Sequence, residues 1–254
     1  MSAPKTIPKT APKTAMVLAA GLGLRLRPMT EHRPKALVEV GGKALIDHAL
    51  DGLRDVGVER AVVNVHAFAD MLEDHLKTRR DMEIVISDER ALRLETGGGV
   101  KNARALLGDD PIWVANSDYA WISDDGFSGV ARAWDPDRMD VCVIVVPKAR
   151  TLGFDTAGDF SMDSEGRLTH RGDAPSAPLH CFGVEILDPA PVYADPRQAF
   201  SLFEVWMRAQ GRGRLFGVQP DGVWMQAGDP ASLAAVQDRL VEEALRVPSL
   251  ARGR

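Results

Sequence analysis

Two cationic side chains follow a short apolar run near the start of the chain, in an arrangement typical of phosphate binding. Residues 17–20 are apolar and predict a buried strand, and Gly21 and Gly23 come directly after it. Glycines let backbone N–H groups face an anion without a Cβ in the way, and Arg25 and Lys35 supply positive charge. We therefore expect a nucleotide here. The predicted nucleotide-binding residues of this loop are Leu18, Ala19, Ala20, Gly21 and Gly23.

The spacing of the loop decides which kind of nucleotide site it forms. A dinucleotide-binding loop has a third glycine where this chain has Leu26, and no Gly-Lys-Ser/Thr sequence completes a P-loop. What remains is the strand, the two glycines and Arg25, followed by Pro28, Thr30 and the pair Pro34-Lys35. This pattern resembles the signature of the sugar-phosphate nucleotidyltransferases.

Two later segments also place polar groups after apolar runs. The stretch Leu94-Glu-Thr-Gly-Gly-Gly-Val100 precedes a predicted helix, and its small residues Thr96, Gly97 and Gly98 predict room for a base and ribose. The alternative is a glycine-rich turn that only leads into the helix. The second segment is an apolar strand that ends at Asn116 and Asp118, where Asp118 is predicted as a metal ligand or, alternatively, as a helix cap.

The resemblance extends over residues 15–245 and carries further expectations. It implies that Ala20, Gly21, Thr96 and Gly97 contact the nucleoside and that Asp118 holds Mg²⁺. The Leu-Glu-Thr-Gly-Gly-Gly sequence is most similar to the bacterial N-acetylmuramate α-1-phosphate uridylyltransferases of cell-wall recycling, which implies UTP and a sugar 1-phosphate as substrates. Segments 158–160 and 182–184 resemble sugar-side segments of that group. The predicted sugar-binding residues are Gly158, Asp159, Cys181 and Gly183.

One position departs from the family pattern. The family commonly places a second metal-binding Asp in a Trp-x-Asp-x-Gly segment, whereas Trp224-Met-Gln-Ala-Gly228 has Gln226 there. Because Mg²⁺ accepts neutral oxygen ligands and keeps several waters, Asp118 and Gln226 together with nucleotide phosphates are a sufficient predicted set. The alternative function is a nucleotide-sugar sensor with weak turnover.

The predicted reaction needs no protein base. A sugar 1-phosphate is mostly a dianion at neutral pH, because its second pKa is near about 6, and it can attack the nucleotide α-phosphorus directly. In this prediction Arg25 holds the departing β- and γ-phosphates, Lys35 the α-phosphate or the sugar phosphate, and Asp118 the Mg²⁺. GTP with mannose 1-phosphate, a heptose substrate, and CTP with a phosphorylated alcohol remain alternatives.

Alternating strand-like and helix-like runs must position these residues. The strand-like runs are 15–20, 61–65, 83–87, 112–116 and 141–146, and the helical ones are 44–56, 68–76, 98–107, 201–210 and 230–245. Such alternation predicts an α/β fold with a parallel sheet, and short pieces at 159–162, 168–170 and 179–187 add a small antiparallel lobe. The fold expected from the resemblance is the Rossmann-like, mostly parallel sheet of a GT-A-like nucleotidyltransferase.

Composition bounds the remaining possibilities. Residues 1–14 repeat Pro-Lys-Thr and predict a disordered tail before a domain at 15–247 and a flexible end at 248–254. No apolar run reaches the roughly 18 residues of a membrane span, so a cytoplasmic protein without a membrane partner is expected. A net charge of −5 makes nucleic acid an unexpected partner. Cys142 and Cys181 are expected to be reduced, and the oligomeric state is not predicted.

Overall fold

The computed structural model of the chain describes residues 6–154 and 156–246. Its strands are β1 (Thr14–Leu18), β2 (Glu39–Val40), β3 (Lys43–Ala44), β4 (Arg60–Val65), β5 (Glu83–Asp88), β6 (Ile112–Asn116), β7 (Tyr119–Ile122), β8 (Val141–Pro147), β9 (Thr151–Leu152), β10 (Phe160–Met162), β11 (Leu168–His170), β12 (Leu179–Leu187), β13 (Leu215–Val218) and β14 (Val223–Gln226). Its helices are α1 (Leu45–Asp55), α2 (Ala69–Leu76), α3 (Glu95–Asn102), α4 (Arg104–Leu107), α5 (Ser128–Ala133), α6 (Ala190–Tyr193), α7 (Leu202–Gly211) and α8 (Pro230–Arg246).

A nine-stranded mixed sheet forms the centre of the fold. Its strands follow the order β11-β10-β12-β6-β1-β4-β5, and β8 pairs with β12 and β13. The strands β6, β1, β4 and β5 are parallel, while β12 is antiparallel to both β6 and β8. The predicted α/β class and the mostly parallel half of the sheet are therefore confirmed.

Alternate residues of the parallel strands enter two separate cores. Val17 and Val63 pack in one cluster, whereas Met16 and Val62 pack in the other. This alternation follows from the two-residue period of a strand, and both faces are apolar because helices cover both sides of a parallel sheet. The continuous hydrophobic runs that predicted these strands are thus explained by burial on both faces.

The sheet brings the functional segments to one edge. Leu18 at the end of β1 is in register with Asn116 at the end of β6, and β4 ends beside β5 with Val65 opposite Asp88. Because the strands are parallel, the loops that follow them all leave at the same side. The residues predicted from the ends of β1 and β6 therefore meet.

The segments predicted as antiparallel are antiparallel, and they extend the main sheet. β11 is an edge strand, β10 lies beside it, and β12 pairs with β10, β6 and β8. A separate three-stranded sheet has the order β7-β14-β9. In this small sheet β14 is antiparallel to β7 and parallel to β9. The small sheet carries Gln226 at the end of β14. The helix predicted at 98–107 begins three residues earlier and is divided into α3 and α4.

The ends of the chain lie partly outside the described residues. Within the predicted tail, Ala11 is buried and Ile7 packs against the main core. The predicted domain boundaries and the flexible end at 248–254, which lies outside the described residues, stay predictions. No helix within 6–154 and 156–246 is long and apolar enough to cross a membrane, and the cytoplasmic location also stays a prediction.

Candidate active site

A cleft of about 440 Å³ lies at the carboxyl ends of the parallel strands. The ends of open parallel sheets are where α/β folds place their ligands. The cleft brings together most of the residues predicted from the nucleotide side. Those that line it are Leu18, Ala19, Ala20, Gly21, Gly23, Arg25, Lys35, Thr96, Asn116 and Asp118.

The two glycines of the loop differ in how much space the surrounding protein leaves beside them. Gly23 has a φ of 63°, and a Cβ there would lie 2.9 Å from Thr30 Cγ2 and 3.0 Å from Lys35 Cβ. The Thr30 hydroxyl also donates to the Gly23 carbonyl at 2.7 Å. A Cβ at Gly21 would meet no protein atom within 4 Å. Only Gly23 is thus fixed by the protein, whereas the space beside Gly21 is open.

Asn64, which we did not predict from the sequence, occupies the first donors of the loop. Its Oδ1 accepts from the backbone N–H of Ala19 at 2.7 Å and of Ala20 at 3.2 Å. These two donors are therefore used within the protein. An anion in the cleft must be met by N–H groups farther along the loop, beginning with Gly21, and by cationic side chains.

Lys35 and Asp118 form an ion pair in the cleft. Lys35 Nζ lies 2.7 Å from Asp118 Oδ2, and the two side chains are 16% and 19% exposed. The adjacent Ser117 hydroxyl donates to the Leu18 carbonyl at 2.9 Å, which fixes the turn after β6 to the end of β1. The predicted cation and the predicted metal ligand are thus in direct contact, although they are distant in sequence.

Arg25 lies at the exposed rim of the same cleft. A Cβ at Gly228 would lie 3.5 Å from Arg25 Nη2, so this glycine leaves the guanidinium room against the segment after β14. The neighbouring Asp229 accepts the Ser232 N–H at 2.8 Å. This backbone bond holds the pKa of the Asp229 carboxyl below its usual value, and the charge of Arg25 acts in the same direction.

The glycines of the second predicted segment pack against protein. The N–H groups of Gly97 and Gly98 donate to the Phe200 carbonyl at 2.8 and 3.1 Å. A Cβ at Gly97 would lie 2.4 Å from Phe200 Cε2, and one at Gly98 would lie 2.3 Å from the Gln198 carbonyl oxygen. Thr96 lines the cleft, while these two glycines join α3 to the segment before α7. Their predicted contact with the nucleoside stays a prediction.

The predicted sugar-side residues form a second group that does not line this cleft. Asp159 Oδ2 accepts the Cys181 N–H at 2.8 Å, and the neighbouring Gly158 has a φ of 90°. Burial raises the pKa of the Cys181 thiol, so it is a neutral group, and both cysteines are free. Gly183 approaches the cleft most directly, because a Cβ there would lie 2.2 Å from Asn116 Nδ2.

Gln226 is placed next to the strand that follows Asp118. Its Nε2 donates to the Tyr119 hydroxyl at 3.3 Å, and the Ala227 N–H donates to the Asp118 carbonyl at 3.1 Å. Within 6–154 and 156–246, no group of three or more acidic, histidine or cysteine side chains could hold a metal. One carboxylate with phosphates and waters is a common donor set for Mg²⁺, and Asp118 presents a carboxylate to the cleft, whereas Gln226 is not among the residues that line it.

Several lining residues were absent from the sequence prediction, namely Leu22, Leu24, Ala36, Asn64, Glu89, Arg93, Glu95, Ser117 and Gly228. Asn64 did carry a signal, because it is a polar residue within the apolar run of β4. Glu95 is one of two non-glycine residues with positive φ among those described, at 63°. Backbone strain of this kind is enriched at functional sites.

The glycine loop and Asp118 follow parallel strands of the mixed sheet, and Lys35 contacts Asp118. This arrangement places the protein in the class of nucleotidyltransferases. The model of one family, described as the MobA-like NTP transferase domain, matches residues 15–223. The chain belongs to this family. The resemblance to nucleotidyltransferases found in the sequence is confirmed.

The chain is similar in sequence to two relatives and in fold to one solved structure. The chain is 51% identical over 233 residues to the N-acetylmuramate alpha-1-phosphate uridylyltransferase of Caulobacter vibrioides, which covers 89% of this chain and 96% of that protein. The enzyme of the same description from Neisseria meningitidis is 30% identical over 227 residues, with 87% and 96% covered. Apo UDP-glucose pyrophosphorylase superposes with a TM-score of 0.74 at 18% identity over 91% of this chain and 98% of its own, which shows the shared fold.

Proposed function

We propose that the protein transfers a uridylyl group from UTP to N-acetylmuramate α-1-phosphate and releases pyrophosphate. The product is a nucleotide sugar that serves cell-wall recycling. The choice of this pair is supported by the 51% identity to the Caulobacter vibrioides enzyme, whose alignment covers almost all of that protein.

The observation that carries the proposal is the Lys35 to Asp118 pair beside the glycine loop. It puts a cation and a carboxylate 2.7 Å apart within a cleft that Gly21 leaves open. Two substrates that are both anionic repel each other, so the protein must supply positive charge where they meet. In the proposed mechanism Lys35 holds the α-phosphate or the sugar phosphate, and Arg25 at the rim holds the departing phosphates.

The residues present act by alignment rather than by proton transfer. The sugar phosphate attacks the α-phosphorus as a dianion, a new phosphorus–oxygen bond forms, and the bond to the departing pyrophosphate breaks in line. The loop N–H groups after Ala20 orient the nucleotide phosphates. Positioning of this kind supplies a large share of the rate in phosphoryl and nucleotidyl transfer.

The proposed cofactor is Mg²⁺, held by Asp118 with the carboxamide oxygen of Gln226 as a second donor. When bound, the ion would neutralise charge on the phosphate oxygens. The ion pair with Lys35 holds the Asp118 carboxylate at the cleft surface, where it is 19% exposed. The carboxylate therefore stays accessible to a ligand from the cleft.

The test is pyrophosphate release with each of the four NTPs paired with N-acetylmuramate, N-acetylglucosamine, glucose and mannose 1-phosphates. We expect release that needs Mg²⁺ and is fastest with UTP and the muramate sugar, and we expect loss of release in Asp118→Asn. Fastest release with another pair keeps the chemistry and replaces the substrate. Folded wild-type protein that binds UTP but releases nothing overturns the proposal and supports the nucleotide-sugar sensor.

A further inference from the structure

Asn64 links three parts of the cleft that are distant in sequence. It is 2% exposed within β4, and its Oδ1 accepts the N–H groups of Ala19 and Ala20. Its Nδ2 donates to Glu89 Oε1 at 3.0 Å. One carboxamide thus connects the start of the glycine loop to the segment after β5.

Glu89 is an unusual partner because it is 3% exposed. Its Oε2 is buried without a hydrogen-bond partner in the described part of the chain, and the side chain lines the cleft. Burial raises the pKa of the Glu89 carboxyl, while the bond from Asn64 acts against that shift. Burial of an acidic group destabilises the folded state unless hydrogen bonds compensate for the lost contacts with water. Here the bond fixes which way the Asn64 carboxamide faces.

Helix α3 packs against the Asn64 to Glu89 contact. A Cβ at Gly99 would lie 2.8 Å from Glu89 Oε1 and 3.0 Å from Asn64 Nδ2. Both distances are shorter than the contacts a Cβ normally makes, so this glycine is the residue that lets the helix lie against the pair. The third glycine of the Leu-Glu-Thr-Gly-Gly-Gly sequence therefore serves the Asn64 to Glu89 contact.

We propose that Asn64 is a positioning residue for the nucleotide, with Glu89 holding its carboxamide in the orientation that accepts the loop N–H groups. Asn64 acts through the loop, because its Oδ1 fixes Ala19 and Ala20 and so sets the direction in which the following N–H groups point. The proposal rests on the proposed function for its choice of UTP as the ligand and for its kinetic readout. UTP binding tests it independently of turnover.

A double-mutant cycle tests the orientation. Asn64→Asp keeps an acceptor for the loop but places a carboxylate against Glu89, so we expect UTP to bind at least about tenfold more weakly at pH 8. Glu89→Gln keeps an oxygen that accepts from Asn64, and we expect an effect below about threefold. In the double variant the new carboxamide donates to the new carboxylate, so binding returns to within about threefold of wild type.

Calorimetry with UTP is the measurement, and turnover gives the second readout. A loop effect raises KM for the NTP while KM for the sugar phosphate stays unchanged, whereas general loss of structure would alter both. Asn102→Asp is the matched control, because Asn102 Nδ2 bonds Ser87 Oγ at 3.3 Å rather than the loop. Wild-type affinity in Asn64→Asp, or no recovery in the double variant, overturns the proposal.

A second variant keeps the test decisive if Asn64→Asp does not fold. Gly99→Ala inserts a methyl group against Glu89 and Asn64, and we expect the same weaker binding of UTP. Gly211→Ala is its control, since a Cβ at that helical glycine would meet nothing within 4 Å. Unchanged UTP affinity in Gly99→Ala contradicts the proposal. If the wild type binds UTP but transfers nothing, the proposed function fails while this inference is still tested.

Discussion

The predicted nucleotide side and the predicted sugar side of the site use their polar groups differently. On the nucleotide side, Lys35 and Asp118 face a cleft and Arg25 lies at its rim. On the sugar side, Asp159 accepts a backbone N–H from Cys181, and neither of these two residues lines the cleft. Charged side chains face the cleft on the nucleotide side, whereas on the sugar side the carboxylate bonds the backbone of a strand. Substitutions should therefore reduce turnover on the nucleotide side and alter stability on the sugar side.

The largest effect is expected from Lys35→Ala. Removing this cation from a site that aligns two anions should lower kcat/KM by about 10²- to 10³-fold, with little change in melting temperature. Steady-state pyrophosphate release and thermal unfolding measure the two quantities. Lys43→Ala is the control, because Lys43 pairs with Asp51 at 2.7 Å outside the cleft. Unchanged turnover in folded Lys35→Ala would remove Lys35 from the mechanism.

Glu185 in β12, the strand that carries Cys181 and Gly183, should make the stability of the protein depend on pH. Burial raises the pKa of its carboxyl to about 8, while the Trp206 indole N–H donates to it at 3.2 Å. The folded protein keeps this proton where the unfolded chain, with a pKa of 4.5, has lost it. The contribution of Glu185 to the free energy of unfolding is therefore greatest below pH 4.5 and falls as pH rises towards 8.

Glu185→Gln removes that dependence and should stabilise the protein by several kcal/mol at pH 8, with little gain at pH 4.5. Urea unfolding of both proteins at several pH values provides the comparison. Equal slopes of stability against pH in the two proteins would show that Glu185 does not titrate in this range. A large loss of turnover in the variant would break the division between the two sides.

Gln226→Asp tests the point where the two sheets meet. A second carboxylate near Asp118 should lower the Mg²⁺ concentration that gives half-maximal rate by about tenfold, since Mg²⁺ prefers anionic oxygen ligands. The measurement is a Mg²⁺ titration of pyrophosphate release. Gln237→Asp is a control away from the cleft, where Gln237 Oε1 accepts the Gly41 N–H. A silent wild type with an active Gln226→Asp variant would instead favour the sensor.

The smallest effect is expected from relief of backbone strain. Glu95 at φ 63° and Phe68 at φ 54° are the described non-glycine residues with positive φ. Glu95→Gly should raise the free energy of unfolding by about 1 kcal/mol and change UTP affinity, because Glu95 lines the cleft. Phe68→Gly should leave UTP affinity unchanged. Chemical unfolding and calorimetry separate these outcomes, and a destabilised Glu95→Gly variant would contradict the assignment of strain.

The features that could be predicted from the sequence are those whose residues lie close together in the chain. The loop from Leu18 to Arg25 and the turn after β6 with Asp118 were identified because a strand, its turn and its charge are adjacent in the chain. The Asn64 to Glu89 contact depends on β4 lying between β1 and β5, which the order of residues does not state. Gly97 looked open to a ligand for the same reason, because its partner Phe200 is more than one hundred residues away.

The position of Phe200 also sets the order in which the protein can mature on the ribosome. Gly97 and Gly98 donate to its carbonyl, so the contact between α3 and the segment before α7 forms only after that residue has left the exit tunnel. Ala227 comes later still, and its N–H fixes the carbonyl of Asp118. The glycine loop after β1 is therefore synthesised early, but the cleft around it is completed only when the later segments have been made. A nascent chain shorter than about 230 residues carries the loop without the contacts that complete the cleft.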